Sequence, residues 1–309
     1  MDKKKNVIIG VIAVSTSAIL WGLDGVVLTP KLFSLNVGYV VFVLHLIPFL
    51  LMNTFMYKEY RKVKQFNKKD WLALTGIAVF GGAIGTLSVV KALFLVNFEH
   101  LSFVVILQKL QPIFAITLAS VLLKERLRKN FILWASIAIL AGYFLTFGFN
   151  SPHFNTDSNN IEATLYALLA AFSFGSSTVF SKIALSKCNF KTLTFFRYGL
   201  TSLIMLIFIA ITGQWQQYSS TTSSQWIIFL IIGTTTGSGA IFLYYFGLKR
   251  IKAIIGTICE LLFPLSAILF DYIFYGNVLS AVQWISAVVM IFAIISLNAD
   301  NAKVVKQKS

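Results

Sequence analysis

The sequence predicts an all-α integral membrane protein of ten transmembrane helices, built as two five-helix repeats of inverted topology. Three observations lead there. Ten apolar stretches follow one another, each about 20 residues long and so able to cross a ~30 Å hydrocarbon layer as a helix. The basic residues gather in alternate gaps between those stretches. The two halves of the chain repeat each other's unusual residues at a constant offset.

The chain has 309 residues, of which 57% are hydrophobic and 12% charged, with 29 phenylalanines. The expected spans are 7–28, 35–57, 71–95, 101–123, 130–149, 162–186, 191–213, 225–248, 253–275 and 280–298. The first opens after Lys3, Lys4 and Lys5; it is too long, and too poor in small-residue cleavage sites, for a secretory signal. The second is closed by the basic segment Lys58 to Asp70. The third carries Gly81 and Gly85, and the fourth contains Pro112. The fifth leads into the polar segment Asn150 to Ile161. The sixth and seventh follow, the latter holding Arg197, and a Ser/Thr/Gln-rich segment from Gln214 to Gln225 separates them from the eighth. Pro264 lies in the ninth, and the tenth precedes a basic tail. The intervals are too short for a soluble catalytic domain.

Of the 26 Lys and Arg, 21 fall at the N-terminus, in alternate loops or in the C-terminal tail, whereas Lys31 is the one basic residue in the opposite loops. By the positive-inside rule both termini are cytoplasmic. The net charge of +15 therefore records topology and contact with anionic lipid headgroups, and no nucleic-acid partner is expected. Cys188 and Cys259 have neither a disulfide framework nor metal-ligand spacing. There is no Walker-type phosphate loop, no metal cluster and no nucleophile–base pair, so neither an enzyme nor a cofactor is expected. A transport step would have to draw on a gradient or a partner.

An offset of 152 residues places Pro112 on Pro264, Gly81 and Gly85 on Gly233 and Gly237, and His45 on Arg197. The repeats are thus 1–150 and 162–300, joined by a polar loop at 151–161 and followed by a cytoplasmic tail at 301–309. With five helices each, the second must insert upside down relative to the first. Matched halves of this kind can rock about a site near mid-membrane and expose it to one side and then the other. A channel or lipid flippase, and a non-transporting scaffold or sensor, are the alternatives of other classes.

The chain resembles the drug/metabolite transporter superfamily, in particular ten-helix members built from two EamA-type repeats. The residues that carry the likeness are Ile19-Leu20-Trp21-Gly22 with Phe174-Gly175, and Leu110-Gln111-Pro112-Ile113-Phe114 running to Leu123-Lys124-Glu125-Arg126-Leu127. Leu262-Phe263-Pro264-Leu265 running to Tyr275-Gly276-Asn277 is the second-half counterpart. Glu125 fits the Glu that commonly closes the family's motif, and Asn277 departs from it. The resemblance implies transport of small metabolites by alternating access, and an Arg on the seventh helix recurs in the family.

Ionisable groups at membrane depth cost several kcal/mol unless paired or hydrated, so each is a candidate for function. Lys109 lies about eight residues into the fourth helix between Gln108 and Gln111, just before Pro112, and is expected to contact substrate or to pair with a carboxylate such as Asp24. Glu260 is the repeat-equivalent of Gln108. It is expected to carry a proton, to bind a substrate ammonium, or to form a static pair with Arg197. Arg197, always charged, suits a structural ion pair. His45 and Asp24 are proton-coupling or gating candidates, with an interhelical hydrogen bond the alternative for His45 and a cap near the end of the first helix for Asp24; Lys91, Lys182 and Asp271 lie near enough to helix ends to snorkel, and Lys91 is a further substrate contact. Trp21, Tyr244 and Tyr245 could stack on a substrate or hold a cation. Gly81, Gly85, Gly233 and Gly237 read as helix-packing positions. Cationic and anionic candidates together favour a zwitterion such as an amino acid. An organic cation or drug, or a phosphorylated or anionic metabolite, is the alternative. The partners expected are a small-molecule substrate, membrane lipids and a proton or other coupling ion, in a monomer or homodimer of a bacterial cytoplasmic membrane.

Overall fold

A computed structural model describes residues 3–96, 107–108, 110–125, 129–149, 158–276, 278 and 280–307. Among these residues the regular structure is entirely helical. Seven helical runs are long and apolar enough to cross a membrane: α1 (Lys5–Leu32), α2 (Val37–Gln65), α3 (Lys68–Leu95), α6 (Ile161–Leu185), α7 (Phe190–Ile211), α8 (Ser223–Leu248) and α9 (Ala253–Tyr275). Three shorter apolar helices, α4 (Gln111–Leu122), α5 (Asn130–Leu145) and α10 (Ala281–Ser296), lie where the fourth, fifth and tenth spans are expected. The first part of the fourth span, with Lys109, lies outside the described residues. Side chains such as Leu50, Phe55, Leu140, Ile207, Ile211 and Val288 are exposed on these helices. In lipid such faces need no cover, because the hydrocarbon tails around them are themselves apolar.

Local chemistry sets the boundaries. Asn67 and Asp70 form a reciprocal capping box at the start of α3, and Thr222 with Gln225 does the same for α8. Asn189 caps α7 through the Thr192 amide. Gly213 and Gly276 adopt left-handed φ values of 69° and 74° just beyond α7 and α9, where a Cβ would be disfavoured. The segment expected as a basic loop after the second span begins as a 3-10 helix, Tyr57–Gln65, which forms the last part of α2, and the helix of α10 runs on to Gln307, through residues expected as a tail.

The main packing pairs are α5 with α10, α3 with α6, α1 with α8, α2 with α7, α4 with α6, α1 with α9, α3 with α7, α4 with α9 and α2 with α8. Exchanging each helix for the one five places away maps every pair onto itself or onto another of the set, as a pseudo-two-fold requires. Close approach uses equivalent glycines. A Cβ at Gly22 would lie 2.1 Å from the Ser266 hydroxyl of α9, and one at Gly175 would lie 3.0 Å from the Gln111 carbonyl and the Ala115 nitrogen of α4.

Helices α1, α3 and α8 each contain a π-helical segment, at Asp24–Leu28, Ile77–Ile84 and Gly233–Gly237. In α3 the Thr86 hydroxyl donates to the Gly81 carbonyl at 3.3 Å, and in α8 the Ser238 hydroxyl donates to the Gly233 carbonyl at 2.5 Å. These two bonds occupy equivalent positions in the repeat. They satisfy carbonyls that lose their ordinary i+4 amide partner in a π turn. Gly85 and Gly237 are required by the same geometry: a Cβ there would lie 2.5 Å from the Phe80 carbonyl oxygen and 2.7 Å from that of Ile232. Gly81 and Gly85 also pack on α6, against Ser177 and Phe174, whereas Gly233 meets Ile47 and Pro48 of α2 at ordinary contact distance.

Candidate functional site

The site begins with two prolines. Pro264 has no N–H to give the Glu260 carbonyl, and α9 is interrupted there, between Ala253–Cys259 and Leu262–Tyr275. The Glu260 carbonyl instead accepts from the Phe263 amide at 3.0 Å, in a tight turn that carries the Glu260 side chain. Pro112 opens α4 in the same way, and the Leu110 carbonyl accepts from Ile113 at 2.9 Å. The two breaks face each other, since the Gln111 side-chain amide donates to Glu260 Oε2.

The second carboxylate oxygen of Glu260 accepts from the Tyr244 hydroxyl of α8 at 2.8 Å. The Thr178 hydroxyl of α6 lies 2.8 Å from the same phenol oxygen. Trp21 of α1 sets its ring 5.4 Å from that of Tyr244, and the rings of Tyr244 and Tyr245 are 5.5 Å apart. Beyond Tyr245 stands Arg197 of α7. Its Nη1 donates to the Tyr245 hydroxyl at 2.7 Å, and its Nη2 donates to the Gly81 carbonyl at 2.8 Å. Ser181 donates to the Tyr245 hydroxyl at 3.4 Å. Two hydrogen-bonded groups, Gly81–Arg197–Tyr245–Ser181 and Thr178–Tyr244–Glu260–Gln111, thus meet at the adjacent tyrosine rings and form a polar ladder from α3 to α4, flanked by aromatic faces.

The expected pair between Glu260 and Arg197 is not formed. Two adjacent tyrosines stand between them, each taking one charged group, so the arginine is held by a phenol and a carbonyl. Among the described residues the one ion pair within 4 Å joins Glu59 and Lys62. The structure brings Trp21, Gln111, Tyr245 and Glu260 together around Tyr244. Gln108 and Lys91 are half-buried and outside this ladder, and Lys109 lies outside the described residues. His45 donates from Nδ1 to the Val41 carbonyl at 2.8 Å, a bond within its own helix, and its ring lies 5.2 Å from Tyr198. Among the described residues Asp24 has no cationic partner, and it opens the π turn instead of ending α1, accepting from the Thr29 hydroxyl at 3.0 Å.

Thr178 and Ser181 are members of the site that sequence reasoning missed. The signal was the Ser/Thr-rich run from Ser173 to Ser181, all of whose hydroxyl residues are buried on α6. Two further polar residues close the basic side. Lys182 is not snorkelling: its Nζ donates to the carbonyls of Leu248 at 2.8 Å and Ile251 at 2.5 Å, capping the end of α8. Glu125 accepts from the amides of Ala253 at 3.1 Å and Ile254 at 3.2 Å, capping the start of α9 from the end of α4. Lys124, with a left-handed φ of 53°, makes the turn that aims Glu125 there. A carboxylate at this motif position is thereby explained as a cap.

Residues 8–148 and 162–299 each match the EamA-like transporter family. The chain belongs to that family. This EamA-like chain is an integral membrane transporter, and its ladder of hydroxyl, amide, carboxylate and aromatic groups is suited to a small polar metabolite. It is 50% identical over 297 residues, covering 96% of this chain and 99% of the other, to a protein of Fusobacterium nucleatum named riboflavin transporter ImpX. An uncharacterized transporter of Synechocystis is 25% identical over 257 residues, covering 81% of this chain and 72% of its own. A solved structure with 15% identity has the same fold, with a TM-score of 0.66 over 94% of this chain and 96% of that one.

Proposed function

We propose that this EamA-like transporter carries riboflavin, or a flavin of the same uncharged type, across the bacterial cytoplasmic membrane. The observation that carries the proposal is the 50% identity with the Fusobacterium riboflavin transporter over nearly the full length of both chains. The site's chemistry supports it. Riboflavin joins a planar heterocycle, edged with hydrogen-bond donors and acceptors, to an uncharged polyol. Trp21 and Tyr244 offer aromatic faces, and Gln111, Glu260 and Thr178 offer donors and acceptors beside them.

The amino-acid expectation gives way to this reading. The zwitterion reading relies on Lys109 and Lys91 for its cation; Lys91 lies outside the ladder, Lys109 lies outside the described residues, and the Fusobacterium relative is named for riboflavin. The halves 1–150 and 162–300 would move as rocking bodies, with both termini and the basic loops cytoplasmic. Stacking of a planar heterocycle on an aromatic side chain is worth about 1–3 kcal/mol. Flavin fluorescence is quenched by such stacking, so titration of purified protein into riboflavin measures binding directly. Trp21→Ala is expected to weaken it roughly 5- to 150-fold. Unchanged affinity would remove Trp21 from the site, and no saturable quenching by wild-type protein would remove riboflavin from the proposal.

A further inference from the structure

The last part of α2, Tyr57–Gln65, is a 3-10 helix. Such a helix has three residues per turn, so side chains three apart stand in line at intervals of about 6 Å, and the segment divides into three rows. One row packs inward: Tyr60 sets its ring edge-on to Phe195 of α7 at 4.9 Å, Val63 lies against the core, and Phe66, just beyond, meets Phe196 at 5.5 Å. Glu59 and Lys62 form the second row and pair at 3.0 Å. The Thr192 hydroxyl at the start of α7 accepts from Lys62 at 3.1 Å and donates to Glu59 at 2.5 Å, so this row is a clamp on α7. The third row is Lys58, Arg61 and Lys64, all exposed.

That third row continues an apolar ridge. Leu51 and Phe55 precede Lys58 by seven and three residues, which puts them on one side of the helix, and they are 40% and 68% exposed. An exposed apolar ridge therefore ends in an exposed cationic one, with the exposed ring of Tyr57 at the junction, where an aromatic residue suits the edge of a bilayer. The repeat supplies a comparison within the molecule. The 3-10 helix Gln214–Ser220 follows α7 as Tyr57–Gln65 ends α2, and its Gln214 and Gln217 accept from the amides of Tyr39 and Asn36 at the start of α2. It has the clamp and no charged residue. The fold thus requires this element without requiring cations on it. The positive-inside rule accounts for basic residues in the segment but does not line up three of them in continuation of a lipid-facing ridge. We propose that Lys58, Arg61 and Lys64 bind the headgroup of an anionic phospholipid whose acyl chains lie along Leu51 and Phe55.

The proposal does not depend on the substrate, so it is tested without flavin. Thermal unfolding of the purified protein in neutral detergent is followed as phosphatidylglycerol is added, with phosphatidylcholine and glycerol 3-phosphate as comparisons. Phosphatidylglycerol is expected to raise the melting temperature saturably, as a ligand of the folded state does by mass action, and the other two to leave it unchanged. Each cation beside an anionic headgroup is worth about fivefold in affinity. Arg61→Gln is therefore expected to raise the midpoint of the lipid response about fivefold, and Lys58→Gln, Arg61→Gln and Lys64→Gln together roughly 100-fold. Lys5, Lys187 and Lys252 are exposed elsewhere among the basic segments. Changing these three to Gln together is expected to move the midpoint by less than about twofold, because exposed charges farther apart than a Debye length are screened. Equal stabilisation by the two phospholipids would overturn the proposal. So would equal losses in the two triple variants, which would mean attraction to net charge with no site, or stabilisation by glycerol 3-phosphate, which would make the ligand a soluble phosphate. Riboflavin quenching is expected to be the same in both triple variants, and its presence without a phosphatidylglycerol response would leave the substrate reading standing and remove this one.

Discussion

The Tyr245 hydroxyl is the point where two demands meet at the residue scale. It is fully buried and accepts from Arg197, itself 7% exposed, so removing it leaves a charged donor without a partner. Hydrogen bonds to charged groups contribute about 1.5–3 kcal/mol, and Tyr245→Phe is expected to lower unfolding stability in detergent by that amount. Cys188, in the turn between α6 and α7, gives a second expectation. Burial pushes its thiol up from 9.0 to about 11. Below pH 9 the thiol is protonated in both the folded and the unfolded chain and contributes no pH dependence. Between about pH 9 and 11 the unfolded chain releases this proton and the folded one keeps it, so stability falls as pH rises through that window. Maleimide labelling of Cys188 near pH 7 is expected to be slow and to accelerate on unfolding. Glu260, Gln111 and Tyr245 were legible in the sequence because polar groups at membrane depth stand out against an apolar background. Their partners were not: whether Glu260 meets Arg197 directly depends on the two tyrosines between them, and single residues do not announce which neighbour they face.

At the scale of elements, the helices and their order were legible because twenty-residue apolar runs have few other uses. The π turns were not. A Gly-x-x-x-Gly pattern reads as a packing surface, and in α3 it is one, yet Gly85 and Gly237 are also needed where the helix widens and the carbonyl five residues back crowds the Cβ position. Glu125 was noticed as a motif residue, and only the fold shows that its carboxylate caps another helix. Loss of a helix N-cap costs about 0.5–2 kcal/mol. Glu125→Ala is expected to destabilise the protein by that amount, and Glu125→Gln to recover part of it through its remaining carbonyl oxygen. A thermal-unfolding comparison of the two variants checks this. Glu125 and Lys182 together tie the α8–α9 connection to α4 and α6.

For the whole molecule, the sequence offset of 152 residues that pairs Pro112 with Pro264 and Gly85 with Gly237 pairs positions that the described helices use alike, at helix breaks and at π turns. The substrate was not legible from the same residues. Opposite charges in one sequence suggest a zwitterion only if both reach one site, and of the cations expected there Lys91 stands outside the Glu260 ladder and Lys109 lies outside the described residues. The family and the Fusobacterium relative redirect the reading toward a planar, uncharged metabolite, for which hydroxyl, amide and aromatic groups suffice. The central claim is a flavin carrier working through the Glu260 ladder. Counterflow of labelled riboflavin in proteoliposomes tests it most directly, with wild-type protein and Glu260→Gln run side by side. Wild-type vesicles preloaded with unlabelled riboflavin are expected to accumulate label transiently, and Glu260→Gln vesicles to do so at least about tenfold more slowly while the protein remains folded, since loss of one charged hydrogen-bond network costs at least 1.4 kcal/mol. Equal uptake with and without preloaded riboflavin, or wild-type rates in Glu260→Gln, would contradict the account.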